Sequence, residues 1–106
     1  MDTATPIAFE QSYELQEHVN EAASLLKKMA NEHRLLILCT LSTGEMSVGA
    51  LNDVVPLSQS SLSQHLASLR GAGLVQTRRD AQTIYYSLSG DRAQQIIAVL
   101  FSIFKS

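Results

Sequence analysis

Residues 57–71 read Leu57-Ser58-Gln59-Ser60-Ser61-Leu62-Ser63-Gln64-His65-Leu66-Ala67-Ser68-Leu69-Arg70-Gly71. Ser58 is a good helix N-cap, and the segment from about Gln59 to Gly71 carries a single apolar stripe of Leu62, Leu66 and Leu69, spaced by four and three. The opposite face is short and polar: Gln59, Ser60, Ser63, Gln64 and Ala67, running on to Arg70. Such a helix, apolar toward its own domain and short-chained outward, suits insertion into a DNA major groove. Glutamine bonds adenine through two atoms at once, and serine reaches either bases or phosphates. Ser61 lies near the helix start, where backbone N–H groups also point at phosphate, and His65 either supports the helix or touches the DNA backbone.

Working outward, Ser47 opens a short helix over Val48–Val54, which Pro56 stops. On the other side Gly71-Ala72-Gly73 closes the polar-faced helix. Two β-branched and aromatic runs follow, Leu74–Arg79 and Thr83–Leu88, joined by Asp80-Ala81-Gln82. Helix, turn, helix, hairpin is the order of a winged helix-turn-helix. Arg78, Arg79, Gln82 and Thr83 then sit at the wing tip, placed to meet the DNA backbone or minor groove. Alone, Arg78-Arg79 would be an ordinary solvated hairpin; beside a Ser/Gln-faced helix they point to DNA.

The rest of the chain is helical in pattern. Leu15, Val19, Ala22, Ala23, Leu26 and Met29 predict one helix from Ser12 to Met29, with residues 1–11 a flexible tail and 12–106 the domain. Asn31 caps a second helix over 32–41, ended by Thr43-Gly44. The last helix, Asp91 to Phe104, is apolar over more than the stripe that a monomer core needs. It either tucks into its own core or joins a second copy. The second option is favoured, with Leu15, Val19, Ala22, Ile96, Val99, Leu100, Ile103 and Phe104 as the interface. The fold class is mainly α with a small β-hairpin, in the order α-α-α-α-β-β-α, homodimeric through the first and last helices.

A chain of 106 residues fits one domain that buries about 65% of its unfolded surface. With 45% hydrophobic and 17% charged residues it is neither disordered nor low in complexity. No apolar run approaches the ~20 residues of a membrane span, and a cytoplasmic protein is expected. The net charge of −2 hides an asymmetry: residues 1–55 hold three basic and eight acidic side chains, residues 56–106 five basic and two acidic. Phosphate responds to local potential, so the basic second half is compatible with one DNA-facing surface. No catalytic grouping is present, because Ser61 and His65 lie one turn apart with no acid to orient the imidazole. His18 is expected to be a solvated helix residue, and His33 to sit in a capped first turn.

The segment 57–66, the wing Arg78-Arg79-Asp80-Ala81-Gln82-Thr83-Ile84-Tyr85-Tyr86 and the run Met29-Ala30-Asn31-Glu32-His33-Arg34-Leu35 with Ile37-Leu38-Cys39 together resemble the ArsR/SmtB family of bacterial repressors. The resemblance is nearest its HlyU/NolR-like branch and covers about residues 20–104. It implies a homodimer that binds an imperfect palindrome on double-stranded DNA. Many members sense metals through two thiols at the helix-turn-helix entrance, where this chain has Glu45-Met46-Ser47-Val48-Gly49-Ala50-Leu51. At the other family metal site, on the last helix, Asp91 is present, but no His or Glu follows His65. No metal and no cofactor are therefore expected. Redox-sensing members pair a second-helix Cys with one near the end of the last helix; Cys39 matches the first, and the chain has no second.

Cys39, among Leu36, Ile37, Leu38 and Leu41, is expected to be a small core hydrophobe, with a single-thiol sensor or an intersubunit bridge as alternatives. The functional expectation is a sequence-specific DNA-binding transcriptional regulator, most simply a repressor. The alternatives are a winged-helix protein-interaction module and a redox-responsive regulator using Cys39. The residues specify no small-molecule effector and no operator.

Overall fold

The computed structural model describes residues 6–105 of the chain. Six helices and three short strands follow in the order α1 (Phe9–Gln16), α2 (Val19–Met29), α3 (Glu32–Leu41), β1 (Met46–Ser47), α4 (Val48–Val54), α5 (Gln59–Gly71), β2 (Val75–Asp80), β3 (Thr83–Leu88) and α6 (Arg92–Phe104). The strands form one antiparallel sheet in the order β1-β3-β2. This is a winged helix-turn-helix.

Two features at the N-terminal end differ from expectation. The chain is already helical at Phe9, within the stretch expected to be a tail, of which residues 1–5 lie outside the described residues. The single helix expected from Ser12 to Met29 is two, broken at Glu17-His18. His18 leaves the helical region with φ −115° and ψ 17°, and its Nδ1 lies 2.7 Å from Glu21 Oε1 in the first turn of α2. Apolar spacing cannot reveal the break, since Leu15, Val19 and Ala22 keep a helical interval straight across it.

Helices α3, α4 and α5 begin where their side-chain caps are. Asn31 Oδ1 accepts from the backbone N–H groups of His33 and Arg34, Ser47 Oγ from Ala50, and Ser58 Oγ from Ser61. The end of α5 is a Schellman turn. Gly73, at φ +76°, donates to the carbonyl of Arg70, and Leu74 donates to that of Leu69. Leu69 and Leu74 are both buried, so the turn ends the helix and delivers the chain directly into β2. The hairpin loop has the opposite arrangement: Ala81 sits at φ +57°, where glycine is the favoured residue.

Leu62, Leu66 and Leu69 of α5 pack with Ile37, Leu38 and Leu41 of α3, Leu51 of α4 and Leu74 in one core. Outside it, apolar side chains remain exposed on α1, α2 and α6, including Phe9, Tyr13, Leu26, Phe101 and Phe104 at 79%, 61%, 55%, 68% and 80%. The chain leaves 7543 Å² accessible, against about 5,800 Å² for a compact monomer of its mass.

Candidate nucleic-acid interface

The local rules that shape α5 also present its outer face. Burial of Leu62, Leu66 and Leu69 fixes the rotation of the helix about its axis. Ser58, Gln59, Ser60, Ser63 and Gln64 then point outward and are exposed, with Ser61 half-buried behind the first turn. Ser58 Oγ joins the hydroxyls of Ser60 and Ser61 at 3.3 and 3.1 Å, so three serines crowd the helix N-terminus. The structure thus brings together all the polar positions expected on this helix, save His65.

His65 is half-buried and turned toward α3. Its Nδ1 accepts a hydrogen bond of 3.1 Å from Arg34 Nε, and its ring lies 5.9 Å from that of His33. Arg34 Nη1 also donates to the carbonyl of Lys28. Partial burial, then the charges of Arg34 and His33, lower the pKa of His65 below its usual value. An acceptor at Nδ1 and disfavoured protonation together describe a neutral imidazole with its proton on Nε2. His65 is a strut between α5 and the capped start of α3.

The wing separates its two arginines. Side chains alternate along a strand, so Arg78 and Arg79 project from opposite faces of β2. Val75, Thr77 and Arg79 share the face of Ile84, Tyr86, Leu88 and Met46, which packs on the core at its base. Arg79 lies beyond that packing and is exposed, as are Gln82 and Thr83. Arg78 is engaged. Its guanidinium carbon lies 4.5 Å over the Tyr85 ring, and Nε and Nη2 donate to the two carboxylate oxygens of Glu45 at 3.0 and 2.8 Å. That hydrogen bonding holds the Glu45 carboxyl below its ordinary range and raises Arg78. Glu45, Tyr85 and Arg34 were not candidates in the sequence, because each acts through a partner distant in the chain.

Cys39 is exposed, against the expectation of a core thiol. Ile37, Leu38 and Leu41 take the buried side of α3, and Cys39 lies between them on the outer side. Of the expected interface, Leu15, Val19, Val99, Ile103 and Phe104 are exposed, Ala22 and Leu100 are half-buried, and Ile96 packs on its own chain's core.

Comparison with known proteins bears on this surface directly. A profile for bacterial regulatory proteins of the arsR family matches residues 31–77, from the cap of α3 into the wing. The transcriptional activator HlyU of Vibrio cholerae is 50% identical over 86% of this chain and 84% of its own. The nodulation protein NolR of Rhizobium meliloti is 55% identical over 86% and 75%. The chain belongs to the arsR family of bacterial regulatory proteins. Within it, this regulator falls in the HlyU/NolR branch. Its structure is also similar to that of the transcriptional repressor BigR from Xylella fastidiosa, with a TM-score of 0.85 and 39% identity over 90% of this chain and 97% of that one. As an arsR-family protein it is a DNA-binding transcriptional regulator with a winged helix-turn-helix. Among the described residues, no helix is long and apolar enough to cross a membrane.

Proposed function

We propose that two copies of this regulator bind a palindromic operator, each laying α5 in the major groove and its wing along the neighbouring backbone. Ser58, Gln59, Ser60, Ser63 and Gln64 face the groove with Ser61 behind them at the helix start, while Arg79, Gln82 and Thr83 meet phosphate or the minor groove. The observation that carries this reading is the outward face of α5, polar and exposed along its first two turns while its inward face is fully buried. A surface for docking another protein would present exposed aromatics there instead. The exposed apolar faces of α1, α2 and α6 favour a homodimer, because a second copy would cover them. Two recognition helices then lie about 34 Å apart, one turn of the duplex.

The protein acts in the cytoplasm by occupying DNA, without catalysis, and repression by blocking polymerase is the simplest outcome. Relatives that share this framework bear both activator and repressor names. The test is selection of binding sites from a random duplex library, with the recovered site titrated across salt. The expected result is a palindrome with half-sites one turn apart and affinity that falls steeply with salt. Absence of any enriched sequence, with weak binding even at low salt, would overturn the reading.

A further inference from the structure

The two arginines of the wing look alike in sequence and occupy different situations in the structure. Arg78 on β2 pairs with Tyr85 on β3, which in turn pairs with Ser47 on β1. Directly opposed residues share a face, so these three form one row across the sheet, and Glu45, two residues before Ser47, belongs to the same face. The Arg78 side chain therefore passes over the middle strand, resting on the Tyr85 ring, and forks onto Glu45 beyond the far edge. No backbone hydrogen bond joins β1 to β2, since β3 lies between them. The arginine thus ties β2, the strand that carries the wing outward, to the segment that enters β1. That segment leads straight into α4, because Ser47 is the α4 N-cap.

We propose that Arg78 serves DNA binding as a positioning residue: held over Tyr85 by Glu45, it fixes the angle between the wing and the helix-turn-helix and so sets where Arg79 meets the duplex. This rests on the proposed DNA interface. Two considerations separate it from the view that Arg78 itself grips phosphate. A guanidinium and a carboxylate joined through two hydrogen bonds present no net charge to a phosphate. A phosphate that pulled Arg78 away would also face the Glu45 carboxylate left behind. Arg79, on the opposite face and exposed, has no such competitor among the described residues.

The two views predict opposite signs for one substitution. If Arg78 gripped phosphate, Glu45→Gln would free it and tighten binding. If Arg78 positions the wing, Glu45→Gln breaks the tie and weakens binding. The experiment is a fluorescence-anisotropy titration of the selected operator duplex with the full chain at several salt concentrations. Circular dichroism confirms that each variant is folded. Glu45→Gln and Arg78→Gln are expected to weaken binding alike, by about threefold or more. The slope of log affinity against log salt should stay unchanged for both. The exchange Glu45→Arg with Arg78→Glu, which rebuilds the pair in reverse, should bring affinity back toward the starting value. Arg79→Ala is expected to lower affinity and flatten the slope by about 0.9 per chain.

Tighter or unchanged binding by Glu45→Gln overturns the proposal, as does a flattened slope for Arg78→Gln. If Arg79→Ala and Gln59→Ala both left binding untouched, the proposed interface would fail instead, which is a separate outcome.

Discussion

Two glycines at the end of α5, two residues apart, should respond to the same substitution with opposite signs. Gly71 is the last helical residue of α5, and Gly73 holds the left-handed position of the Schellman turn at φ +76°. A Cβ built at either meets no atom within 4 Å, so crowding contributes nothing and only backbone preference remains. At Gly71, alanine favours the helix and removes freedom from the unfolded chain, which stabilises by about 0.5–1 kcal/mol. At Gly73, an L residue in the left-handed region costs roughly 1–2 kcal/mol, offset by about 0.4–1 kcal/mol from the same entropic gain.

The expected result is Gly71→Ala more stable than the parent and Gly73→Ala less stable by about 1 kcal/mol, near 4–8 °C in melting temperature for a domain of this size. Gly73→Asn should fall between the parent and Gly73→Ala, because asparagine tolerates this conformation. Urea unfolding at fixed protein concentration measures all three, the concentration being held because dimerisation would shift every midpoint. If Gly73→Ala proved as stable as the parent, the turn would not need its left-handed residue and the account of how α5 ends would be wrong.

Three further outcomes are expected. Ala81→Gly should stabilise the hairpin by up to about 1 kcal/mol, since the loop holds alanine at φ +57°, and urea unfolding reads it. The depressed pKa of His65 means that the unfolded chain takes up its proton first as pH falls. Its contribution is therefore present above the ordinary histidine value and declines as pH drops through the folded one. His65→Asn keeps an acceptor for Arg34 Nε without titrating, and should lose less stability than the parent between pH 7 and pH 5 in urea titrations. Val99→Asp, at an exposed site on α6, should convert dimer to monomer in sedimentation velocity without unfolding the chain, and an unchanged dimer would remove α6 from the interface.

How far the sequence discloses this molecule depends on whether a feature is local. Asn31, Ser47 and Ser58 announce three helix starts because a cap acts within three residues. The α5 stripe is likewise legible, and with it the polar face. Strand β1 is not, since two residues give no alternation, and its existence depends on Tyr85 and Tyr86 lying alongside. Cys39 illustrates the limit of periodicity. Helix α3 is apolar nearly all round, so nothing in Leu35 to Leu41 says which side faces inward, and the outward side carries the thiol. The Arg78–Glu45 pair spans 33 residues and the Arg34–His65 pair 31, distances over which only the fold brings partners together. Both pairs brace the proposed DNA surface, so its supports are less legible than the surface itself.

The Schellman turn has a geometric consequence for target choice. It is the joint from which β2 departs, and six residues of strand make a lever of about 20 Å. A bend of about 10° at such a joint would sweep the far end through about 3.5 Å, close to the 3.4 Å rise between successive nucleotides. A hinge with that play could not tell one step of the double helix from the next. Two backbone hydrogen bonds and a pair of buried leucines hold the near end of that lever, and the Arg78–Glu45 tie braces it further out, so that in the proposed complex the distance between groove and flanking phosphate becomes a ruler read in single base steps.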